Sequence, residues 1–283
     1  MCARPAAGGR CLRALSAVAS AQAVLAQGKV FYQRNIFTLS TAYIGANGRP
    51  TARPSDAVYA VTRRVPEELW LAPDGSGLLL YGAEDAPRPA SPADERAWRA
   101  AGAPDLERLI APPGGWGPKR QAFGPGELDE MLIFNSNLEA VLSKDDPLSE
   151  LPREPRALSE FLREAAEKQR EGSTERDITN TFGTNVTTFL RYPRTPPALR
   201  AALLSVFATL PGTRTLGVIE DGAGRSAAAL QLPPDMNDGK SVIAFDPETS
   251  RLLAEGVAHE DGVRWNYVYG VTAGAVDKSG DRP

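Results

Sequence analysis

The stretch TPPALRAALLSVFATLPGTRTLGVIEDGAGRSAAALQL, which begins at Thr195, decides the predicted fold together with FDPETSRLLAEG, which ends at Gly256. Its first part is typical of a helix, because Thr195 suits the N-cap, Pro196 suits the first helical position and Pro211-Gly212 ends the apolar run. The apolar side chains of this helix share one stripe, about a third of its circumference, which predicts that the helix packs against a sheet. The stripe is formed by Leu199, Leu203, Val206, Phe207 and Leu210.

Five antiparallel strands are predicted after this helix, because turn residues recur there at spacings of roughly 8–14 residues. The predicted strands are Thr213–Glu220, Arg225–Leu232, Ser241–Asp246, Arg251–Ala258 and Val263–Val271. The turns between them are Asp221–Gly224, Pro233–Gly239, Pro247–Ser250 and Asp261-Gly262.

The last predicted strand alternates most regularly between two kinds of side chain. We expect Arg264 and Asn266 on one of its faces. The opposite face is predicted to carry Val263, Trp265, Tyr267, Tyr269 and Val271. The tail from Thr272 lacks such a pattern and is predicted to be disordered.

A second group of strands is predicted in the first third of the chain. An alanine-rich helix, Leu12–Ala26, leads into it; the alternative is a signal peptide, which the polar residues of that stretch disfavour. Pro73-Asp74-Gly75 supplies the positive φ that a tight hairpin needs between the third and fourth strands. The four strands are predicted as a meander at Lys29–Leu39, 56–64, 67–73 and 77–82.

Proline and glycine dominate the segment Ala83–Gly126. Since proline lacks a backbone donor, we expect a surface insertion with one short helix, Asp94–Ala101, and no strand ladder. Trp116 either covers a cleft as part of a flap or anchors the loop. Beyond it, Glu127–Lys144 is predicted as a strand followed by a helix. Two further helices are predicted, one from Pro155 to Gly172 and one over Asn185–Tyr192.

Composition limits the function classes that this chain can belong to. Its 283 residues carry a net charge of -3 without a basic block, which argues against nucleic-acid binding. Cys2 and Cys11 are the only cysteines, and they cannot form a metal cluster. The sequence has no apolar run of about 18 residues, so we expect no transmembrane helix in it.

The motifs that could carry chemistry each have a structural explanation. His259, the single histidine, lies beside two acidic residues at a predicted exposed turn. Gly222–Ser226 lacks the pattern of a phosphate loop and is a hairpin turn, and Asp235–Gly239 lacks the closing acidic ligand of a calcium loop. The glycosylation sequon at Asn185 falls in a predicted helix. We therefore predict no catalytic, cofactor-binding or metal-binding residue.

The chain resembles an actinobacterial family of uncharacterised proteins whose genes often lie near sigma factors. The C-terminal match consists of Pro196, Pro197, Leu199, Arg200, Ala201, Leu210, Pro211, Gly212, Asp221, Gly224, Arg225, Phe245, Asp246, Pro247, Glu248, Thr249, Leu252 and Leu253. The N-terminal match consists of the Val-Phe-Tyr strand at Val30 and of Glu68, Trp70, Pro73, Asp74, Gly75, Ser76 and Gly77.

This resemblance implies a fold similar to the half-open β-barrel of lipoprotein carriers and periplasmic sigma-regulators (LolA- and RseB-like). It also implies an extracytoplasmic protein with a membrane helix before the domain, which this sequence lacks. The full-length form is then membrane-tethered, or this chain is a truncated or soluble member. The resemblance implies no catalytic residues.

The predicted fold class is α+β, with a large curved antiparallel sheet of nine or ten strands and helices on its concave face. We expect one domain over 12–271, with disordered ends at 1–11 and 272–283. The leading hypothesis is a non-enzymatic, monomeric binding or sensing domain for an apolar ligand, such as a lipid chain, or for a partner segment. The alternative is an interaction module that regulates a membrane-bound anti-sigma system, and the third is a carboxylate-dependent enzyme.

Overall fold

The structure is a computed structural model that describes residues 8–20, 29–110, 118–128, 148–149, 151–233, 236, 240–259 and 262–283. Within these residues the chain forms one antiparallel sheet of 11 strands and five helices, and the sheet does not close into a barrel. The α+β class and the large antiparallel sheet are therefore confirmed.

The helices and strands alternate in blocks along the chain. The strands are β1 (Val30–Gly45), β2 (Pro50–Thr51), β3 (Ala57–Leu71), β4 (Gly77–Tyr81), β5 (Arg88–Pro89), β6 (Lys119–Phe123), β7 (Arg214–Glu220), β8 (Ser226–Gln231), β9 (Ser241–Phe245), β10 (Leu252–His259) and β11 (Gly262–Val276). The helices are α1 (Gly8–Ser20), α2 (Pro92–Ala100), α3 (Pro155–Gln169), α4 (Glu175–Arg191) and α5 (Pro197–Thr209).

The first and last long strands join the two predicted groups into one sheet. The strand order is β6-β4-β3-β1-β11-β10-β9-β8-β7, with β2 on β1 and β5 on β3. The β1–β11 ladder begins at Val30↔Val276 and ends at Phe37↔Tyr267. All five strands predicted after the long helix are confirmed, with boundaries that differ by a few residues.

The predicted second and third strands are one strand, β3, which was wrongly divided at Pro66. The carbonyl of Pro66 accepts a hydrogen bond from Gly82 N, just beyond the last β3–β4 pair, Glu67↔Tyr81. The missing N–H of Pro66 therefore lies on the side of β3 that faces β4, just beyond the end of the β3–β4 ladder. No hydrogen bond of that ladder is lost. The hairpin at Gly75, whose φ is +78°, is confirmed.

The Pro/Gly-rich insertion does carry a strand, contrary to expectation. Strand β6 pairs with β4 from Gly77↔Phe123 to Tyr81↔Lys119, because the segment Lys119–Phe123 lacks proline. The predicted short helix is confirmed as α2, with Ser91 as its N-cap. Trp116 and most of Glu127–Lys144 lie outside the described residues.

Helix α5 is buried on nearly all sides rather than along one stripe. Besides the predicted stripe, Arg200 and Leu204 are buried, and α1 packs against α5. Ser16 of α1 donates to the carbonyl of Ala201 at 2.9 Å. Thr195 does not cap α5; its hydroxyl donates to the carbonyl of Phe189 instead.

Both predicted disordered ends are partly ordered. Helix α1 begins at Gly8, and Cys11 is buried in the main core, so the boundary at residue 11 is wrong. At the other end β11 continues to Val276, and the indole of Trp70 donates to the carbonyl of Asp281. The pairing of β11 with β1 and the hydrogen bond from Trp70 hold this end of the chain against the sheet.

Helices α3 and α4 complete the layer that covers the sheet. The predicted helix from Pro155 is confirmed, with a 2.9 Å ion pair between Glu164 and Lys168. The predicted Asn185–Tyr192 helix is the second half of α4, which starts at a Thr174–Asp177 capping box. Asn185 is fully buried, which leaves no room for a glycan on its side chain.

The sheet has two apolar faces. We call the face toward α3, α4 and α5 the helix-side face; it contributes Phe31, Leu71 and Phe245 to the main core. The outer face carries a smaller cluster that includes Ala244 and Trp265. The helices therefore cover one face of the sheet.

A β-bulge in β11 overturns the predicted single aromatic face. Gly256 pairs with Trp265 and Glu255 with Tyr267, so an extra residue, Asn266, is inserted between them. Trp265 consequently packs on the outer face, whereas Tyr269 packs in the main core on the helix-side face.

Candidate functional site

A cavity of about 310 Å³ lies where the end of α4 and the start of α5 meet the helix-side face of the sheet. Four of its lining residues are arginines from four different elements or turns, and we call it the arginine cavity. The arginines are Arg191, Arg200, Arg225 and Arg251. The remaining lining residues are Phe31, Gln33, Leu190, Tyr192, Pro193, Asp246, Thr249, Leu252, Leu253, Tyr269, Gly270 and Ala273.

Arg225 is fully engaged by the protein. Its Nε donates to Asp221 Oδ2 at 2.8 Å, and the Asp221 side chain is completely buried. The terminal nitrogens of Arg225 donate to the carbonyls of Gly270 (2.7 Å), Tyr269 (2.8 Å) and Leu253 (3.2 Å). This guanidinium fastens the β7–β8 turn to β10 and β11, which is a structural role.

Arg191 is also paired. It makes two hydrogen bonds to the carboxylate of Glu255, whose Oε1 also accepts from the hydroxyl of Tyr269 at 2.8 Å. Burial by itself lowers the pKa of Arg191, but the hydrogen bonds that Arg191 donates to Glu255 and the nearby negative charge outweigh this effect and raise that pKa. Burial, with the charge of Glu255, raises the pKa of Tyr269.

Arg200 is buried without a carboxylate partner. Its side chain is 6% exposed, and its Nη2 donates to the carbonyl of Thr195 at 3.0 Å. Within the described part of the chain it forms no ion pair. Burial, together with the charge of Arg251, lowers the pKa of Arg200 to about 10.

Arg251 is the least satisfied of the four arginines. Its guanidinium carbon lies 5.7 Å from the centroid of the Phe31 ring, and its side chain makes no hydrogen bond or ion pair with any residue that the structure describes. Burial lowers the pKa of Arg251, against an opposing effect of Asp246. A cation within about 6 Å of a ring centroid is attracted by the face of the ring.

Asp246 is the one further carboxylate among the described residues that line the cavity. It accepts hydrogen bonds from Glu248 N and from the Thr249 hydroxyl, both at 2.8 Å, and thereby forms the β9–β10 turn. Since Arg191 and Arg225 are neutralised by their own partners, Arg200 and Arg251 face a single acidic group. The cavity therefore has an excess of positive charge.

A second cavity, of about 290 Å³, adjoins the first and shares Arg191 with it. Its lining combines apolar side chains with neutral polar ones, which include Asn180, Thr184 and Thr187 on α4 and Asn266 on β11. The ion pair of Arg191 with Glu255 thus lies between the two cavities.

A separate cluster on β1, β3 and β4 contains an acidic residue with a shifted pKa. Burial raises the pKa of Glu67, while hydrogen bonds from Asn35 (2.9 Å) and Tyr81 oppose this effect. The Tyr81 hydroxyl has its pKa raised to about 12 by burial and by Glu67. Glu67 lines neither of the two cavities, and its hydrogen bonds give it a structural role.

His259 is not a solvated turn residue as predicted, because it is half-buried at the end of β10. Its Nδ1 lies 3.0 Å from Nη1 of Arg264, which in turn pairs with the buried Asp94 at 2.9 Å. Asp94 also accepts from Ala60 N, so this group fastens α2 to β3. The Gly222–Ser226 segment is a hairpin turn, as predicted.

The described residues contain no group of three or more His, Cys, Asp or Glu side chains that could hold a metal ion. Among the helices that the structure describes, none combines the length and the apolar character needed to cross a membrane. A comparison with protein-family models, curated proteins and solved structures finds no match for this chain.

Sequence reasoning did not identify the arginine cavity. Arg200 and Arg225 are among the matching positions of the resemblance, Arg225 and Arg251 begin two predicted strands, and none of the four arginines was predicted as a binding residue. One signal was present: Arg200 interrupts the apolar run from Leu199 to Leu204, and a charge inside a helix that is apolar on all sides is unusual. The remaining three arginines have no such signal.

Proposed function

We propose that this protein is a non-enzymatic binding or sensing domain that takes a small ligand in the cleft between α4 and the sheet. The supporting observation is that two adjoining cavities of about 310 and 290 Å³ share Arg191 along that helix. Cavities of this size on a rigid sheet, with a few convergent polar groups, are typical of small-molecule sites.

The packing favours this cleft over the interior as the binding region. An apolar ligand between sheet and helices would need space that Phe31, Leu203, Phe207 and Phe245 occupy as part of the main core. The arginine cavity combines apolar walls, such as Leu190 and Leu252, with cationic groups. An amphiphilic ligand therefore suits the cleft better than a purely apolar one.

The chemistry of the lining favours binding over catalysis. A general base needs a free acceptor that can reach a substrate proton. The carboxylate of Asp246 is engaged by its turn, and that of Glu255 by Arg191 and Tyr269. The two groups left for a ligand, Arg200 and Arg251, are donors only.

Blocking the cleft tests this proposal with a matched pair of variants. Ala273 is exposed and lines the arginine cavity, whereas Ala275 is exposed on the same strand and does not. We expect a screen of small metabolites by ligand-observed NMR to yield binders of the unmodified protein and of Ala275→Trp. Ala273→Trp should lose them. Binders that Ala273→Trp retains would contradict the proposed site.

The cellular setting is a further part of the proposal. On the resemblance to the actinobacterial family, we place the full-length protein outside the cytoplasm on a membrane tether. A fusion of the complete natural gene to alkaline phosphatase, an enzyme active only outside the cytoplasm, should then be active. An inactive fusion that is expressed at normal levels would contradict this placement.

A second candidate function is that of an interaction module for a membrane-bound regulator. The edge strand β7 favours it, because Leu216 and Val218 are 37% and 48% exposed there. An exposed apolar edge can accept a strand from a partner. In a two-hybrid assay against regulators encoded beside the gene, Leu216→Lys with Val218→Lys should abolish a positive signal. A signal that survives would exclude this edge.

A further inference from the structure

We propose that the arginine cavity binds the oxyanion group, a carboxylate or a phosphate, of a ligand that also carries an apolar body. This inference rests on the proposed function, since it names the chemistry of the ligand for the same cleft.

Within the part of the chain that the structure describes, two of the four arginines are paired with carboxylates and two are not. Arg191 and Arg225 each hold a carboxylate, on Glu255 and Asp221. Arg200 and Arg251 hold none among the described residues, and both line the same cavity. Two cations that share a concave site attract an anion into it.

Arg200 and Arg251 have N–H donors that make no hydrogen bond with the described residues. A guanidinium has five N–H donors, and Arg200 uses its Nη2 to reach the carbonyl of Thr195. Since this side chain is 6% exposed and lines the cavity, an acceptor for its other donors has to come from the cavity. Arg251 makes no side-chain hydrogen bond with the described residues, so its donors are available as well.

The guanidinium carbon of Arg251 lies 5.7 Å from the centroid of the Phe31 ring, a cation–π contact that places the side chain at the cavity wall. A planar guanidinium can pair with two oxygens of one carboxylate or phosphate, and a spherical anion offers no such pair of acceptors. This geometry favours an oxyanion over chloride.

In the free protein, burial disfavours the charged forms of both side chains and lowers the pKa of each, and the charge of Arg251 lowers the pKa of Arg200 further. A bound anion removes this unfavourable interaction. Apolar walls from Phe31, Leu190 and Leu252 then leave room for a hydrophobic portion of the ligand next to the charged group.

The test uses isothermal titration calorimetry at constant ionic strength. Phenyl phosphate and benzoate carry the charged group, benzyl alcohol is the neutral analogue, and inorganic phosphate lacks the apolar body. We expect both anions to bind the unmodified protein at least about tenfold more tightly than benzyl alcohol, and inorganic phosphate to bind more weakly than phenyl phosphate.

Variants then assign the binding to the cavity. Arg251→Gln should weaken phenyl phosphate binding about tenfold or more, and Arg251→Lys should restore part of it, since a lysine keeps the charge without the paired donors. Arg156→Gln, at an exposed arginine on α3, should have no effect. Circular dichroism checks that each variant is folded, and Arg200→Gln provides an independent second test.

A vesicle-binding experiment distinguishes an oxyanion on a lipid headgroup from an oxyanion on a free ligand. Sedimentation with phosphatidylcholine vesicles that contain phosphatidic acid, with and without Arg251→Gln, reports on a lipid headgroup. Binding that depends on Arg251 assigns a lipid, whereas Arg251-dependent binding of phenyl phosphate without vesicle binding assigns a free ligand.

The inference is overturned if benzyl alcohol binds as tightly as the anions, or if Arg251→Gln and Arg200→Gln both leave anion binding unchanged. If either result is found while Ala273→Trp still blocks binding, the proposed binding site in the cleft stands, and only the proposal that the ligand carries an oxyanion is wrong. Binding that Ala273→Trp does not block would instead contradict the proposed function itself.

Discussion

The arginine cavity has two kinds of arginine on its walls. Arg191 fastens the end of α4 to the sheet through the carboxylate of Glu255. Arg225 pairs with the carboxylate of Asp221 within the β7–β8 turn and fastens that turn to backbone carbonyls of β10 and β11. Arg200 and Arg251 fasten nothing comparable, and burial lowers the pKa of both. We therefore expect opposite contributions to stability from the two pairs of arginines: the first pair should stabilise the fold, whereas the second pair should destabilise it.

The difference shows how a structural cation can be separated from a candidate binding group. A buried arginine that has all its partners is explained by the fold alone. A buried arginine without them lowers stability, and such residues are concentrated at functional sites. On this criterion Arg200 and Arg251 are the candidate binding groups of the cavity.

The largest effect on stability is expected when the most buried partner is removed. Asp221→Ala should lower the free energy of unfolding by about 3–5 kcal/mol, because it leaves the Arg225 charge unpaired and removes the hydrogen bonds of the turn. Urea denaturation measures the change. The double variant Asp221→Ala/Arg225→Met should recover part of the loss, and no recovery would contradict the ion pair's role.

A smaller loss is expected at the second paired arginine. Glu255→Gln keeps the size of the side chain but removes the charge that holds Arg191, whose side chain is 40% exposed. Water can therefore solvate the arginine, and we expect a loss of about 1–2 kcal/mol. Thermal unfolding tests the value, and a loss equal to that of Asp221→Ala would show that exposure does not matter here.

The opposite sign is predicted for an unpaired arginine. Arg251→Gln should raise the free energy of unfolding by up to about 1 kcal/mol, because it removes a desolvated cation that faces Arg200. Urea denaturation without added anions is the measurement. A clear destabilisation would mean that Arg251 has a structural role and would contradict its separation from the paired arginines.

The smallest effect is expected for an exposed cation with a partner. Lys168 pairs with Glu164 on the surface of α3, and both side chains are more than half exposed. Solvent and salt screen such a pair, so Lys168→Gln should leave the midpoint of thermal unfolding unchanged within error. A shift as large as that of Glu255→Gln would show that the contribution of an ion pair to stability depends on pairing and not on burial.

Much of the fold could be predicted from local chemistry. Turn residues such as Asp74-Gly75 and the β7–β8 hairpin residues Asp221–Gly224 set strand ends without reference to distant contacts, and both predictions are confirmed. The ladder between β1 and β11 could not be predicted in this way, since Val30 and Val276 meet only in the folded chain. The same reason explains why the ordered tail was missed.

The candidate site was beyond local reasoning for a related reason. Each of its arginines is ordinary within its own segment, and the cavity exists only because α4, α5, the β7–β8 turn and the β9–β10 turn converge. The segment Thr195–Gly256, which decides the fold, also contributes Arg200, Arg225 and Arg251 to the cavity.

The oxyanion site is tested most directly by a crystal of the protein soaked in selenate, which gives an anomalous signal at the position of the ion. We predict a selenium peak inside the arginine cavity within about 4 Å of guanidinium nitrogens of both Arg200 and Arg251, since the selenate oxygens lie between, and its loss in Arg251→Gln. An unoccupied cavity at a selenate concentration that labels other basic surfaces would contradict it.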